Sequence, residues 1–210
     1  MKTIEKARIQ YNERKCDLIK LKNKIVLELE ENLEHFDFVD GIFGRVKSKK
    51  SFLKKCSRDP DKYSEPFKAV EDMIGIRILT LFPSVSKTVS KHITQNVFAT
   101  VENSYRQEKK AKEFGYEGYQ SIHIIPESIL FDFPNEDFPI VFELQVRTLF
   151  QHAWAEPEHE INYKRSTEYE ESLEFEYKKS FAAIAASCWG NDRVLEQLHQ
   201  IFLNEKTKEE

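Results

Sequence analysis

A strand with one apolar and one polar face is predicted by the stretch Val141-Phe142-Glu143-Leu144-Gln145-Val146-Arg147-Thr148. In an extended chain, successive side chains point to opposite faces. Three apolar side chains then share the face that helices can bury, whereas Glu143, Gln145 and Arg147 share the other. The polar face is either the wet side of an edge strand or the floor of a polar cleft, and both interpretations stay open at this point.

The composition indicates a globular chain with a heavily charged surface. Of its 210 residues, 40% are hydrophobic and 32% are charged, so one domain with helical extensions can bury a substantial core. The net charge of −4 does not by itself indicate a nucleic-acid-binding protein. However, residues 45–58 carry seven basic and no acidic side chains, and residues 168–176 carry five acidic and no basic ones. The basic segment is either a solvated face or a grip for phosphates.

The cysteines and the apolar runs indicate the compartment. Cys16, Cys56 and Cys188 lie far apart and form no CxxC pair, which argues against a disulfide framework or a zinc knuckle and fits a reducing compartment. No apolar run reaches the length of a signal peptide or of a membrane span. We therefore expect a cytoplasmic protein that does not enter a membrane.

Long helices are predicted at both ends of the chain. Residues 3–34 have apolar side chains at seven-residue intervals and no glycine or proline. Residues 168–205 predict a second long helix with an interruption around Gly190 and Asn191. These helices could pack on their own domain, or they could join copies of the chain in a homo-oligomer.

The middle of the chain alternates between helical and strand patterns. Residues 40–44 predict a turn because they contain two glycines, and residues 67–74 and 84–99 predict helices. Residues 75–82 form the most strand-prone run in the chain. Pro157 predicts a restart or a kink in the helix that follows Thr148, because residues before proline avoid the helical region.

Several polar residues sit where a site could form. Asp72 comes just before the strand-prone run, and Arg77 lies inside it, where a buried guanidinium needs an anionic partner. That partner could belong to a structural salt bridge or to a binding site. His152, Glu156 and His159 could share a helix face as metal ligands, but Pro157 disturbs their spacing and no further ligand is evident.

As a set, the motifs resemble the synthetase domain of RelA/SpoT-type alarmone synthetases. In chain order they are Gly44-Arg45-x-Lys47-x3-Ser51, Asp72-x2-Gly75-Ile76-Arg77, Gly118-Tyr119-x-Ser121-x-His123, Glu143-Leu144-Gln145-Val146-Arg147-Thr148, Trp154-Ala155-Glu156-x-Glu158-His159 and Tyr163-Lys164. The resemblance implies an α/β (α+β) fold with a nucleotidyltransferase-like mixed sheet flanked by helices. We expect this core at residues 40–165, with helical extensions at residues 1–39 and 166–210.

The resemblance also implies an activity and roles for named residues. The family transfers the β,γ-pyrophosphate of ATP to a ribose 3′-hydroxyl, most often that of GDP or GTP, and releases AMP. The expected catalytic residues are Asp72, Arg77 and Glu143, with Asp72 and Glu143 binding Mg²⁺ and Glu143 assisting deprotonation of the hydroxyl. Arg45 and Arg77 would bracket the adenine, and Lys47, Ser51 and Lys54 would hold the phosphates of ATP. The acceptor would be lined by Lys112, Tyr119, His123, Gln145 and Arg147, with Tyr119 stacking on its base.

These roles agree with the physical needs of the reaction. Transfer to an oxygen nucleophile needs a cation that bridges the phosphates and fixed positive charge around the developing negative charge. One carboxylate for the metal and one beside the nucleophile form a minimal set, and Asp72 and Glu143 supply both. With the resemblance included, the cleft interpretation of the central strand is favoured over the wet edge.

The acceptor stays open because the loop at residues 114–121 departs from the commoner family pattern. Gln120 stands where that pattern has arginine, and the preceding segment is rich in lysine. A guanosine nucleotide is one candidate acceptor. The 3′ end of tRNA is another, as in toxic small relatives that block translation and are neutralised by an antitoxin protein. An inactive nucleotide- or RNA-binding module is a third interpretation. No adjacent His-Asp pair occurs, so we expect no hydrolase domain in this chain.

Overall fold

A five-stranded mixed sheet forms the centre of the computed structural model, which describes residues 3–102, 104, 106–107, 118–133, 138–164 and 171–209. The strands are β1 (Val39–Val46), β2 (Ile74–Thr80), β3 (Arg106–Gln107), β4 (Tyr119–Ile124) and β5 (Val141–Thr148). Their order across the sheet is β1-β2-β5-β4-β3. Strands β2 and β5 run parallel, and all other neighbours run antiparallel.

Strand β5 lies inside the sheet, between β2 and β4. Phe142, Leu144 and Val146 are buried on one face, and the polar residues that alternate with them are half-buried on the other. Because β5 is not an edge strand, the wet-edge interpretation of its polar face is wrong.

Helices flank the sheet. They are α1 (Thr3–Leu33), α2 (Lys49–Arg58), α3 (Pro66–Ala69), α4 (Pro83–His92), α5 (Glu127–Leu130), α6 (Leu149–Lys164) and α7 (Glu171–Glu209), and α4 continues into a π-helical segment, Ile93–Val97. The predicted fold class, a mixed sheet flanked by helices with long helices at both termini, is confirmed. No described helix is long and apolar enough to cross a membrane.

Helix α1 is part of the core. Leu18, Leu21, Ile25 and Leu29 are fully buried in the same apolar cluster as the inner faces of β2 and β5. The helix crosses β1 at Gly44, where a Cβ atom would lie 2.6 Å from Cδ of Lys22 and 2.9 Å from Cγ2 of Val26. The division of the chain at residues 39 and 165 stays a prediction, but α1 and the sheet share one core.

The turn predicted at residues 40–44 is wrong, because these residues belong to strand β1. The two glycines of β1 allow other groups to pack close to the backbone of this strand. A Cβ on Gly41 would lie 2.9 Å from the ring of Phe43, and Gly44 admits helix α1. Glycine therefore marks packing against this strand, which is one of the uses that glycine has inside strands.

The helix predicted at residues 67–74 is correct only at its start. Helix α3 ends at Ala69, Val70 has an extended backbone, and β2 begins at Ile74. The carbonyl of Met73 accepts a hydrogen bond from the backbone N–H of Lys47, so pairing with the end of β1 has replaced the helical hydrogen bonds.

The restart predicted at Pro157 and the interruption predicted at Gly190-Asn191 are absent, because α6 and α7 run through these positions. A kink at Pro157 stays a prediction. Contacts on both sides of Gly190 hold α7 in place. Cys188 packs against Trp154, and Oδ2 of Asp192 accepts a 2.7 Å hydrogen bond from the hydroxyl of Thr148. Tertiary contacts of this kind override weak local preferences.

Candidate active site

The polar face of the sheet is the floor of a cleft. The strand register brings Gly75 opposite Glu143, and it brings Arg77 opposite Gln145. On the far side of β5, Gln120 also pairs with Gln145. Helix α6 forms a wall, and a cavity of about 290 Å³ lies between wall and floor, lined by Arg45, Asp72, Arg77, Gln120, Glu143, Gln145, Arg147, Trp154, Ala155, Glu156, Glu158 and His159.

Asp72 is held between two lysines at one end of this cleft. Its carboxylate accepts hydrogen bonds from Nζ of Lys47 at 2.5 Å and from Nζ of Lys55 at 2.9 Å. Burial alone would raise the pKa of Asp72, but the hydrogen bonds and charges of the two lysines outweigh burial and hold the pKa below its ordinary value. Burial alone would lower the pKa of Lys55, and Asp72 reverses this and raises it. Asp72 and Lys55 are therefore both charged at neutral pH.

A basic cavity of about 660 Å³ adjoins Asp72. Its cationic lining comes from β1, the connection to α2, α2 itself and the segment after it, namely Arg45, Lys47, Lys54, Lys55, Arg58 and Lys62. Ser48 caps α2 by accepting a hydrogen bond from the backbone N–H of Ser51, and both serines line the cavity. The first turn of α2 contains no acidic residue, so the positive end of the helix dipole adds to the basic side chains. This geometry favours the phosphate grip over a merely solvated face.

Arg77 has the anionic partner that its position requires. Its Nη2 atom lies 2.6 Å from Oε1 of Glu156, and its Nη1 atom lies 3.2 Å from Nδ1 of His152. Its Nε and Nη2 atoms both lie 3.4 Å from Oε1 of Gln145. Burial and the positive charge of Arg77 lower the pKa of His152, and Glu156 offsets them only in part. His152 is therefore neutral at neutral pH, and its Nδ1 accepts the hydrogen bond from Arg77.

Glu143 lies between two glutamines. Gln145 Nε2 donates to Oε2 of Glu143 at 3.2 Å, and Gln120 Nε2 donates to Oε1. Glu143 and Asp72 both line the cleft cavity, and both line a second cavity of about 350 Å³ beside it. The two carboxylates therefore face shared space.

This pair of carboxylates fits Mg²⁺. Among the described residues, no group of three or more histidine, cysteine, aspartate or glutamate side chains could hold a metal ion alone. Mg²⁺ commonly binds through one or two carboxylates, substrate phosphates and water, so Asp72 and Glu143 suffice when phosphates enter from the basic cavity.

The donor residues expected from the sequence are brought together. Arg45 and Arg77 line one small cavity of about 110 Å³ together with Gly75 and Phe43. Lys47, Ser51 and Lys54 line the adjoining basic cavity. The structure thus groups these side chains as a donor site would require, and their individual roles stay predictions.

The acceptor residues divide into two groups. Gln145 and Arg147 lie in the cleft, and the Arg147 side chain passes over Gly118, where a Cβ would lie 3.3 Å from its Cγ. Tyr119 lies opposite Val146 on the apolar side of the sheet and packs against the core there. Stacking of Tyr119 on an acceptor base stays a prediction. Lys112 lies outside the described residues, as do Lys109 and Lys110.

The prediction that His123 lines the acceptor site is wrong. His123 is fully buried and lies opposite Phe142 on the apolar face of the sheet. Its ring stacks on Phe142, its Nδ1 lies 3.1 Å from the carbonyl of Phe98, and its Nε2 lies 2.8 Å from the hydroxyl of Ser121. Burial lowers the pKa of His123, which the Phe98 carbonyl offsets only in part. The neutral ring therefore satisfies polar groups inside the core.

Sequence reasoning assigned no individual site role to Phe43, Lys55, Gln120 and Trp154, which line these cavities, and it considered Glu156 only as a possible metal ligand. Strand alternation could have found two of them, because Phe43 is two residues from Arg45, and Gln120 pairs opposite Gln145. Phe43 is the most unusual, because this large apolar residue is 55% exposed and borders the cavity of the two arginines.

The cleft thus contains the parts that transfer of a phosphate-bearing group requires, namely two carboxylates beside a dense set of fixed cations. Comparison with known proteins agrees. Residues 44–168, more than half of the chain, match the model of RelA_SpoT, the region found in RelA/SpoT proteins. The chain belongs to the RelA/SpoT family.

Named relatives agree with this assignment. GTP pyrophosphokinase YjbM of Bacillus subtilis is 27% identical over 165 residues, which cover 79% of this chain and 76% of that protein. Small alarmone synthetase 1 of Bacillus subtilis bound to its product pppGpp has a TM-score of 0.71 at 22% identity, covering 91% of this chain and 97% of that one. The same synthetase bound to AMPCPP has a TM-score of 0.62 at 20% identity, covering 90% and 93%. The family and the class of enzyme predicted from the sequence, an ATP-dependent pyrophosphokinase, are confirmed.

Proposed function

We propose that this chain transfers the β,γ-pyrophosphate of ATP to the ribose 3′-hydroxyl of GDP or GTP, forming ppGpp or pppGpp and AMP. The observation that carries the proposal is the position of Asp72 and Glu143, which share a cleft between a basic cavity and a cavity lined by two arginines. The relative with the same fold has been solved with pppGpp as its product and with AMPCPP, which supports a guanosine acceptor and an ATP donor.

The donor lies along β1 and α2 in this proposal. Arg45 and Arg77 bracket the adenine in the small cavity, with Phe43 as an apolar border. The triphosphate then follows the basic cavity, where Lys47, Lys54 and Ser51 hold it. This orientation places the β-phosphate beside Asp72, because Asp72 lines both the basic cavity and the cleft.

The chemical step takes place between the two carboxylates. Glu143 accepts the proton of the ribose 3′-hydroxyl, whose oxygen attacks the β-phosphorus. The bond from that phosphorus to the oxygen bridging the α- and β-phosphates breaks, and AMP leaves with this oxygen. Asp72 and Glu143 would hold Mg²⁺, which would supply positive charge beside the phosphates. Lys47 and Lys55 neutralise Asp72 and add fixed positive charge beside the transferred group.

The acceptor proposal has one competitor with a structural argument. Lys50, Lys54 and Arg58 on α2 are exposed, and a free nucleotide has few phosphates for so many cations. A tRNA 3′ end would use them, and an antitoxin protein would then be a natural partner. The inactive-module interpretation is less favoured because Asp72 and Glu143 are both present in the cleft.

Labelled ATP distinguishes the two acceptors. The protein is incubated with γ-labelled ATP and either GDP plus GTP or bulk tRNA, and the products are separated. Label in ppGpp or pppGpp is the expected result. Label confined to tRNA, at a rate that falls steeply with salt, would replace the proposal by the tRNA reaction.

A homo-oligomer through the terminal helices is also part of this proposal. Helix α7 exposes apolar side chains at helical spacing, namely Val194, Leu198, Ile201 and Phe202. An exposed apolar stripe of this kind is typical of a contact surface. Light scattering of the purified protein would give a multiple of the chain mass if the proposal is correct, and the mass of one chain if it is wrong.

A further inference from the structure

Glu143 is held in the cleft by amides rather than by cations. Among the ion pairs of the described residues, Asp72 and Glu156 each have a cationic partner, and Glu143 has none. Gln145 Nε2 and Gln120 Nε2 instead donate to one oxygen each of its carboxylate. Two neutral donors fix the direction of a carboxylate without adding a formal charge to it, and they leave its remaining lone pairs open to a proton or a metal ion.

The chemistry of its neighbours determines how the Gln145 amide is oriented. Arg77 carries only donors, so the Gln145 atom that faces its Nε and Nη2 at 3.4 Å must be the carbonyl oxygen. The amide nitrogen then points to Glu143, whose ionised carboxylate only accepts. Glutamate at this position would repel Glu143, and lysine would repel Arg77. Glutamine satisfies both neighbours.

We propose that Gln145 is a positioning residue that links the guanidinium of Arg77 to the carboxylate of Glu143, and that Gln120 completes the hold on Glu143 from β4. The proposal rests on the proposed function, because it assigns donor binding to Arg77 and proton acceptance to Glu143. It also replaces the expected role of Gln145 as an acceptor ligand. Binding of the donor base at Arg77 and orientation of Glu143 then both depend on the Gln145 side chain.

Two leucine variants, in which glutamine is replaced by a side chain of similar shape, test the contact with Glu143 and the contact with Arg77 separately. Gln120→Leu removes only a donor to Glu143, whereas Gln145→Leu also removes the acceptor for Arg77. Both should lower kcat by about 10-fold to 100-fold, because a catalytic group that is misplaced by an ångström loses rate on this scale. Only Gln145→Leu should also weaken binding of AMPCPP, by about 2-fold to 10-fold, as expected for one lost hydrogen bond to a neighbouring charged group.

The same leucine substitutions in a Glu143→Gln protein distinguish a positioning role from general damage to the active site. In Glu143→Gln, the two leucine substitutions should cost no more than about twofold further in single-turnover rate, because a residue that acts through Glu143 then has nothing left to position. A full additional loss in that background would overturn the proposal. Unchanged kcat in both leucine variants, or equal loss of AMPCPP affinity in both, would overturn it as well.

Calorimetry with AMPCPP keeps the inference separate from the proposed function. If the wild-type protein forms no AMP with GTP, the proposed reaction fails, and the binding comparison still tests the link to Arg77. Gln145→Leu binding AMPCPP as tightly as Gln120→Leu would then count against that link. Thermal unfolding of each variant confirms that the fold is intact.

Discussion

Nη2 of Arg77 lies 2.6 Å from Oε1 of Glu156, so a β2 residue that is expected to contact the donor base is held by helix α6. The Arg77 side chain is only 17% exposed, and the Glu156 side chain is 49% exposed. His152, one helical turn before Glu156, accepts from a second nitrogen of the same guanidinium. Helix α6 therefore orients Arg77 before any ligand arrives.

Replacing Glu156 with alanine should weaken ATP binding. Arg77 would lose its anionic partner and would have to be ordered when the base arrives, which costs about 0.5–1.5 kcal/mol for one long side chain. We expect a loss of about 2-fold to 10-fold in AMPCPP affinity by calorimetry. Glu160→Ala, on the same helix but outside the lining of the cleft cavity, is the matched control. Equal or tighter binding by Glu156→Ala would show that the ion pair does not prepare Arg77.

Removing either donor arginine should affect ATP more than the acceptor. A guanidinium on an aromatic face contributes about 0.5–2 kcal/mol, so Arg45→Ala and Arg77→Ala should each weaken AMPCPP binding several-fold to tens of fold. Phe43→Ala tests the apolar border of the same cavity. It should weaken AMPCPP binding less than the arginine variants do, because more than half of the Phe43 surface is exposed. Unchanged affinity in both arginine variants would contradict the assigned donor site.

The imidazole of His152 should titrate below the ordinary range of histidine. Burial lowers its pKa first, and the positive charge of Arg77 lowers it further. Because the pKa of His152 is lower in the folded than in the unfolded chain, its contribution to the free energy of unfolding is complete above the unfolded pKa of about 6.5. This contribution is lost as the pH falls toward the folded pKa. Arg77→Met should raise the pKa, which an NMR titration can follow with His152→Asn to assign the signal. No upward shift would show that Arg77 does not act on this ring.

Two glycine-to-alanine changes should have opposite effects on stability. At Gly44 the new methyl group would meet Lys22 and Val26 at 2.6–2.9 Å, so α1 or β1 must move, at a cost of about 1–3 kcal/mol. At Gly190 nothing lies within 4 Å, and alanine inside helix α7 should stabilise by up to about 1 kcal/mol. Denaturant unfolding measures both. If Gly44→Ala left the free energy of unfolding unchanged, α1 would not be packed tightly against β1.

The sequence predicted the central strand and its cleft because alternation along one strand is a local property. Glu143, Gln145 and Arg147 lie on one face wherever the strand is placed. Alternation along β4 likewise assigns His123 to the apolar face. The acceptor-site prediction for His123 came from the family motif, which was given more weight than the alternation. A motif records that a residue recurs, whereas the register of β4 against β5 determines which face that residue occupies.

Other features depended on contacts that no local pattern contains. The ion pair of Arg77 with Glu156 joins residues far apart in the chain, and only the packing of α6 over the sheet brings them together. The glycines of β1 looked like a turn because their reason, the close approach of α1 at Gly44, lies in a distant helix. The unbroken α7 likewise depends on Asp192 and its bond to Thr148.

The products formed from ATP and GTP test the central claim most directly. Transfer of an intact pyrophosphate predicts AMP and pppGpp in equal amounts, with no accumulation of ADP. Glu143→Gln and Asp72→Asn should lower this rate by orders of magnitude while their thermal unfolding stays near that of wild type. Release of ADP, formation of AMP with only free pyrophosphate, or either variant turning over at nearly the wild-type rate would contradict the account.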